Sequence, residues 1–157
     1  MIKLLRVDHR LLHGQIAFSW CHTLGANAIL VVSDEVAKDE IRMKTMRLAK
    51  PSGVKLVIKS VVDSIAAITS GVTDKYDLLI VAGNVADAER IARSCSISSV
   101  NLGGTEKKEN TTKTLGIAVH LNDKECELVR GLIRDGIEVE IRQVAKDKKL
   151  ALSESDV

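Results

Sequence analysis

Six side chains able to do chemistry fall within ten residues near the start of the chain: Arg6, Asp8, His9, Arg10, His13 and Gln15. Together they favour an anion. A guanidinium such as that of Arg10 offers a planar, permanently charged fork to phosphate oxygens. Gly14 has no side chain to block a close approach. A neutral imidazole nitrogen is a competent nucleophile toward phosphorus, and a carboxylate such as Asp8 can hold the other ring nitrogen and fix the tautomer of His13. The spacing leaves other readings open. The same loop can bind an anion or nucleotide without a covalent step. His9 and His13 are four apart, so a continuous helix would place them on one face as a metal pair. No third ligand is evident, however, and no Glu follows His9 as in zinc proteases. The plainest reading is a helix-capping histidine beside weak, exposed ion pairs.

Such a loop needs a strand to deliver it and a helix to receive the anion. Ile2–Val7 reads as the strand. Gly14–Leu24 reads as the helix, closed by Gly25. A helix starting near Gly14 turns unpaired N–H groups and the positive end of its dipole toward the loop. Short β-branched runs then alternate with amphipathic stretches. Ala28–Val32, Lys55–Ile58, Asp77–Ala82, Ser99–Leu102, Gly116–Leu121 and Ile137–Val144 read as strands. Helices follow from the Asp34 cap to about Ala49, over Val61–Thr69 and Val85–Arg93, and from the Asn122 cap to Asp135. Strand and helix alternate with short connections. The expected fold is therefore α/β: an open, mainly parallel, doubly wound sheet of about seven strands, with helices on both faces, in a single domain over residues 1–157. In such sheets ligands bind at the carboxyl ends of the strands, near the switch in strand order. The polar stretch Thr105–Thr114 reads as a lid or mobile excursion, and the charged tail 146–157 as frayed.

The rest of the sequence narrows the function. Hydrophobic residues make up 45% of the 157, with one Phe, one Tyr and one Trp, so the core must be aliphatic. A net charge of +2 without basic–aromatic runs argues against nucleic acid. Cys21, Cys95 and Cys126 form no pair and read as reduced thiols, Cys21 packed inside its helix. His22 and His120 read as structural. Gly103-Gly104 is a close-approach loop but not a dinucleotide fingerprint, and no GxxxxGK[ST] occurs, which disfavours a nucleotide-dependent kinase. The start of the chain reads as neither signal peptide nor membrane span, so any membrane role runs through partners.

The segment from Arg6 to Gln15, followed by Trp20, resembles the signature R-[IV]-D-x-R-L-[IL]-H-G-Q, then Trp, of the IIB subunits of the sugar phosphotransferase system, mannose/fructose/sorbose class. Asn101-Leu102-Gly103-Gly104 resembles that family's turn after the fifth strand, and Gly136 to Gln143 its closing strand. The resemblance covers essentially the whole chain and implies a cytoplasmic phosphocarrier. His13 would take a phosphoryl group at Nδ1 from a phosphohistidine on a IIA protein or domain. It would pass the group to a sugar carried by the IIC and IID membrane subunits. Arg10 and Asp8 would support His13, with Arg6, Gly14 and Gln15 around the phosphoryl group. No cofactor or metal is implied, because the donor is already a high-energy phosphoramidate. Lys107, Lys108 and Lys113 suit docking or simple solvation. His9 departs from the family, which often has another polar residue there; so does Val144–Asp147, where a Pro is common. The sugar and any homo-oligomer stay open.

Overall fold

The computed structural model describes residues 1–157. Nine strands and five α-helices run in the order β1 (Ile2–Asp8), α1 (Gly14–Leu24), β2 (Ala28–Val32), α2 (Glu40–Ala49), β3 (Lys55–Lys59), α3 (Val61–Thr69), β4 (Leu78–Ala82), α4 (Val85–Ser94), β5 (Ser99–Gly104), β6 (Lys113–Leu115), β7 (Val119–Leu121), α5 (Asp123–Arg134), β8 (Glu138–Ile141) and β9 (Leu150–Ala151). The main sheet has seven strands in the order β3-β2-β4-β1-β5-β8-β9. All its pairs are parallel except β8 with β9.

Side-chain alternation along the strands divides the core in two. Leu5, Val7, Leu30, Ile80, Val100, Leu102 and Val139 pack with Val61, Val85, Ile91, Val129 and Leu132 from α3, α4 and α5. On the other face Leu4, Ile29, Val31, Leu79 and Val81 pack with Trp20 of α1 and Met46 of α2. The helices that follow β1 and β4 therefore lie on opposite faces of adjacent strands. That pair is the switch point, and the loop after β1 opens there.

Three boundaries differ from those read in the sequence. Asp34 does not cap the second helix. Its carboxylate accepts from the Val61 N–H at 2.9 Å, a short 3-10 turn follows at Val36–Lys38, and Asp39 caps α2 instead. The expected strand Gly116–Leu121 is broken at Gly116, whose φ of +59° turns the chain. Residues on either side form an antiparallel hairpin, β6 with β7, apart from the main sheet. The tail is not frayed. Leu150–Ala151 pairs with β8, the Leu152 N–H donates to the Val139 carbonyl at 2.8 Å, and Leu152 and Val157 pack on the core. The sheet reaches seven strands through this tail, not through the hairpin.

Candidate active site

Asp8 is the centre of the site. It ends β1, and its side chain is only 1% exposed. Oδ1 accepts from the Arg10 backbone N–H at 3.0 Å and faces Arg10 Nε at 3.4 Å. Oδ2 accepts from Arg6 Nη2 at 3.2 Å and lies 3.1 Å from His13 Nε2. Burial alone would raise this carboxyl group. The hydrogen bonds from His13 and from the Arg10 N–H, with the Arg6 charge, outweigh it and hold Asp8 below the ordinary carboxylate range. An ionised carboxylate only accepts, so Nε2 of His13 is the donor of this contact, and in the neutral imidazole the lone pair is then on Nδ1. Nδ1 makes no hydrogen bond, and the ring is 24% exposed.

The backbone explains why the imidazole sits there. The Leu11 N–H donates to the Asp8 carbonyl at 2.9 Å, folding the chain sharply back after β1. Leu11 takes φ +59°, a left-handed conformation costing about 1–2 kcal/mol for a residue with a Cβ. Burial of Leu11 and Leu12 in the core holds the turn in place. His13 then occupies the N-cap position of α1 in extended conformation, and its side chain does not cap the helix. The first turn of α1 contains no acidic residue. The positive end of the helix thus faces the loop uncompensated. The helices α2 to α5 each have a side-chain cap and an acidic residue in the first turn. Residues 9–13 form no helix, which removes the shared face that a His9–His13 metal pair would need.

The sequence-predicted residues separate into two groups. Asp8, Arg10 and His13 come together at the open end of β1, and Gly14 and Gln15 follow as the first residues of α1. Arg10 is the exposed cation of the group, its side chain 46% accessible. Arg6 is placed elsewhere than expected. It is 2% exposed, behind Asp8. Nη1 donates to Asn101 Oδ1 at 2.8 Å and to the Arg142 carbonyl at 2.9 Å. Nη2 donates to Asp8 and to the Gln143 carbonyl at 2.8 Å. All four Nη hydrogens are taken, so Arg6 braces Asp8 and has none of them to offer an anion. Burial lowers its pKa, and the Asp8 charge partly offsets this. Gly103 is the close-approach residue foreseen after the fifth strand, but what approaches is the Arg6 guanidinium: a Cβ on Gly103 would overlap it.

Three residues of this arrangement escaped functional reading of the sequence: Asn101, Glu140 and Arg142. Their signal was a polar residue at an inward position of an apolar strand, Asn101 between Val100 and Leu102 and Glu140 between Val139 and Ile141. Cys21 is packed inside its helix, as expected; it is buried, and burial raises its thiol. The His120 ring meets Thr114 Oγ1 at 3.1 Å. His9 is exposed beside Gly104.

Fold and site thus define a class: an open doubly wound α/β domain that presents one imidazole, held by a buried carboxylate, at its switch point. Residues 2–155 match the family described as "PTS system sorbose subfamily IIB component", and the chain belongs to that phosphotransferase-system family. It is 33% identical over 153 residues to the mannose-specific EIIAB component of Escherichia coli K12, covering 97% of this chain and 47% of that protein. The chain thus spans about half the length of that relative. It is 33% identical over 138 residues to a probable phosphotransferase enzyme IIB component of Streptococcus pyogenes serotype M6, covering 85% of each. Among solved structures it resembles the IIBSor domain of the sorbose permease of Klebsiella pneumoniae, with a TM-score of 0.89 at 28% identity over 96% of this chain and 92% of that one.

Proposed function

We propose that this chain is the cytoplasmic IIB phosphocarrier of a sugar-transporting phosphotransferase system, a protein-Nπ-phosphohistidine–sugar phosphotransferase. His13 is its phosphorylated residue. The observation that carries this reading is the 3.1 Å contact between Asp8 Oδ2 and His13 Nε2, which leaves Nδ1 bare beside an uncapped helix N-terminus.

Phosphoryl transfer between histidines needs in-line placement and stabilisation of the equatorial oxygens more than covalent help. Nδ1 of His13 attacks phosphorus, and the bond to the donor imidazole on IIA breaks, its electron pair returning to the donor nitrogen. Arg10 and the amides at Gly14 and Gln15 face the developing charge. Asp8 stabilises the proton on Nε2 throughout. In the second transfer a sugar hydroxyl oxygen attacks phosphorus, the Nδ1–P bond breaks with its electron pair returning to Nδ1, and the hydroxyl proton passes to water. IIC and IID hold that sugar in the membrane. The family members named for mannose and for sorbose differ in the sugar of their names.

Incubation with phosphoenolpyruvate, the general phosphotransferase proteins and a IIA partner tests the proposal. The wild type is expected to gain an acid-labile label at His13 and His13→Ala to gain none. A stable phosphoprotein in His13→Ala, labelled elsewhere, would overturn it. Saturable phosphate binding without any label would favour a non-covalent anion sensor.

A further inference from the structure

Glu140 is a carboxylate with no exposure to solvent, one strand beyond the residues that touch the site. The phosphoryl-transfer scheme makes no use of it. Its partners are specific. Oε1 accepts from Asn101 Nδ2 at 3.0 Å and from Arg142 Nη2 at 2.8 Å, and Oε2 accepts from Arg142 Nε at 3.1 Å. With Nδ2 of Asn101 committed to Glu140, the amide oxygen must face the other way, toward Arg6 Nη1 at 2.8 Å. An amide has one orientation that satisfies both a carboxylate on one side and a guanidinium on the other. Glu140 also fixes the far wall. The Arg142 guanidinium that it binds stacks on one side of Trp20, 5.0 Å from the ring centre, and the Arg6 guanidinium lies 5.0 Å from the same centre. The Arg142 carbonyl returns to Arg6 Nη1. Arg6 thus reaches Asp8 Oδ2, the same oxygen that holds His13 Nε2, from a direction set by Glu140.

We propose that Glu140 is a positioning residue for phosphoryl transfer. Through Asn101 and Arg6 it sets how Asp8 holds the His13 ring, and hence that Nδ1 is the free nitrogen. The inference rests on His13 being the phosphoryl acceptor. Neutralising Glu140 removes the charge that orients the Asn101 amide and leaves the buried Arg6 guanidinium and the partly exposed Arg142 guanidinium with one carboxylate, Asp8. Arg6 is then drawn further onto Asp8 Oδ2 and competes with His13 Nε2 for it. Arg10, on Oδ1, is the other charge on this carboxylate and is untouched by the change.

The variant to make is Glu140→Gln, with Glu140→Asp as the conservative partner. The first readout is the tautomer of His13 by 15N NMR of the unphosphorylated protein. The wild type is expected to carry its proton on Nε2, Glu140→Gln to show a larger share on Nδ1, and Glu140→Asp to recover most of the wild-type pattern. The second readout is the rate of phosphoryl uptake, expected to fall about tenfold in Glu140→Gln, the lower end of what outer hydrogen-bond partners of a site contribute. A purely structural role would change stability without moving the tautomer. A folded Glu140→Gln with the wild-type tautomer and the wild-type uptake rate overturns the inference. If Glu140→Gln does not fold, the wild type itself decides. The side-chain amide resonances of Asn101 must then shift as His13 is titrated, and resonances that stay fixed overturn it. Because the tautomer is read without phosphate, an unlabelled wild type would count against the phosphocarrier reading alone.

Discussion

Replacing Asp8 by asparagine separates charge from shape at the centre of the site. Every group that meets the Asp8 carboxylate is a donor: the Arg10 N–H and Nε on Oδ1, and Arg6 Nη2 and His13 Nε2 on Oδ2. An amide has one oxygen and one NH2, so one side must oppose donor to donor. Turned toward Arg10, the NH2 meets a fixed backbone N–H. Turned toward Oδ2's partners, it meets a buried guanidinium, but His13 can adapt by accepting at Nε2 and moving its proton to Nδ1. Breaking a buried ion pair costs about 3–5 kcal/mol. Arg6 keeps Asn101 and two carbonyls as acceptors, so a loss of about 2–4 kcal/mol is expected, or about 4–16 °C in Tm for a chain of this length. The kinetic effect is larger. When the carboxylate that orients a reactive imidazole becomes an amide, the wrong tautomer costs about 10⁴ in rate. Phosphoryl uptake by Asp8→Asn is therefore expected to fall about 10³- to 10⁴-fold. Stopped-time labelling measures the rate, and 15N NMR shows which nitrogen bears the proton. A folded variant that keeps the proton on Nε2 and labels at close to the wild-type rate would refute this account of Asp8.

Gly103→Ala places a methyl group on the Arg6 guanidinium, which four hydrogen bonds hold in place; overpacking of that kind costs about 1–3 kcal/mol, and a melting curve unchanged from wild type would contradict the tight fit. Arg10→Ala is expected to leave Tm nearly unchanged, because the side chain is half exposed, while slowing phosphoryl uptake about 10²-fold; equal loss of stability and rate would show that Arg10 braces the fold instead. The folded-state pKa of Asp8 is depressed, so its contribution to stability is full above its unfolded value and is lost as pH falls below about 4. Acid unfolding of Asp8→Asn should therefore be shallower than that of the wild type over this range, and parallel curves would count against it.

The elements nearest the site were the most legible in the sequence. Gly14–Leu24 and Ala28–Val32 have the bounds expected of them, because a glycine closes the helix and a continuous apolar run marks a strand covered on both faces. Asp8 and His13 were paired by chemistry before any geometry, and the structure brings them into contact. Arg6 was placed around the phosphoryl group by its position in the motif, and the structure sets it behind Asp8 instead. What decides its burial is that β1 is covered on both faces: Leu5 and Val7 pack on one, and Arg6 lies with Leu4 and Trp20 on the other. No function was read for Glu140 and Asn101 because their partners lie on other strands, and only the register β1–β5–β8 brings them together. The tail was misjudged because its charges hide Leu150–Leu152, a segment too short to show a period yet long enough to cover the β8 edge. The hairpin was missed at Gly116, where one left-handed residue divides an otherwise plausible strand.

Trp20 is the single tryptophan, 1% exposed, with the Arg6 and Arg142 guanidiniums each 5.0 Å from its ring centre. The chain therefore carries its own optical probe, linked to His13 through Arg6 and Asp8. Any event that pulls Arg6 toward or away from Asp8 alters the charge over the indole face, and so the colour and yield of its emission. The loading and unloading proposed for the His13 imidazole is then expected to register in intrinsic fluorescence, without a dye, a tag or a radioactive phosphate.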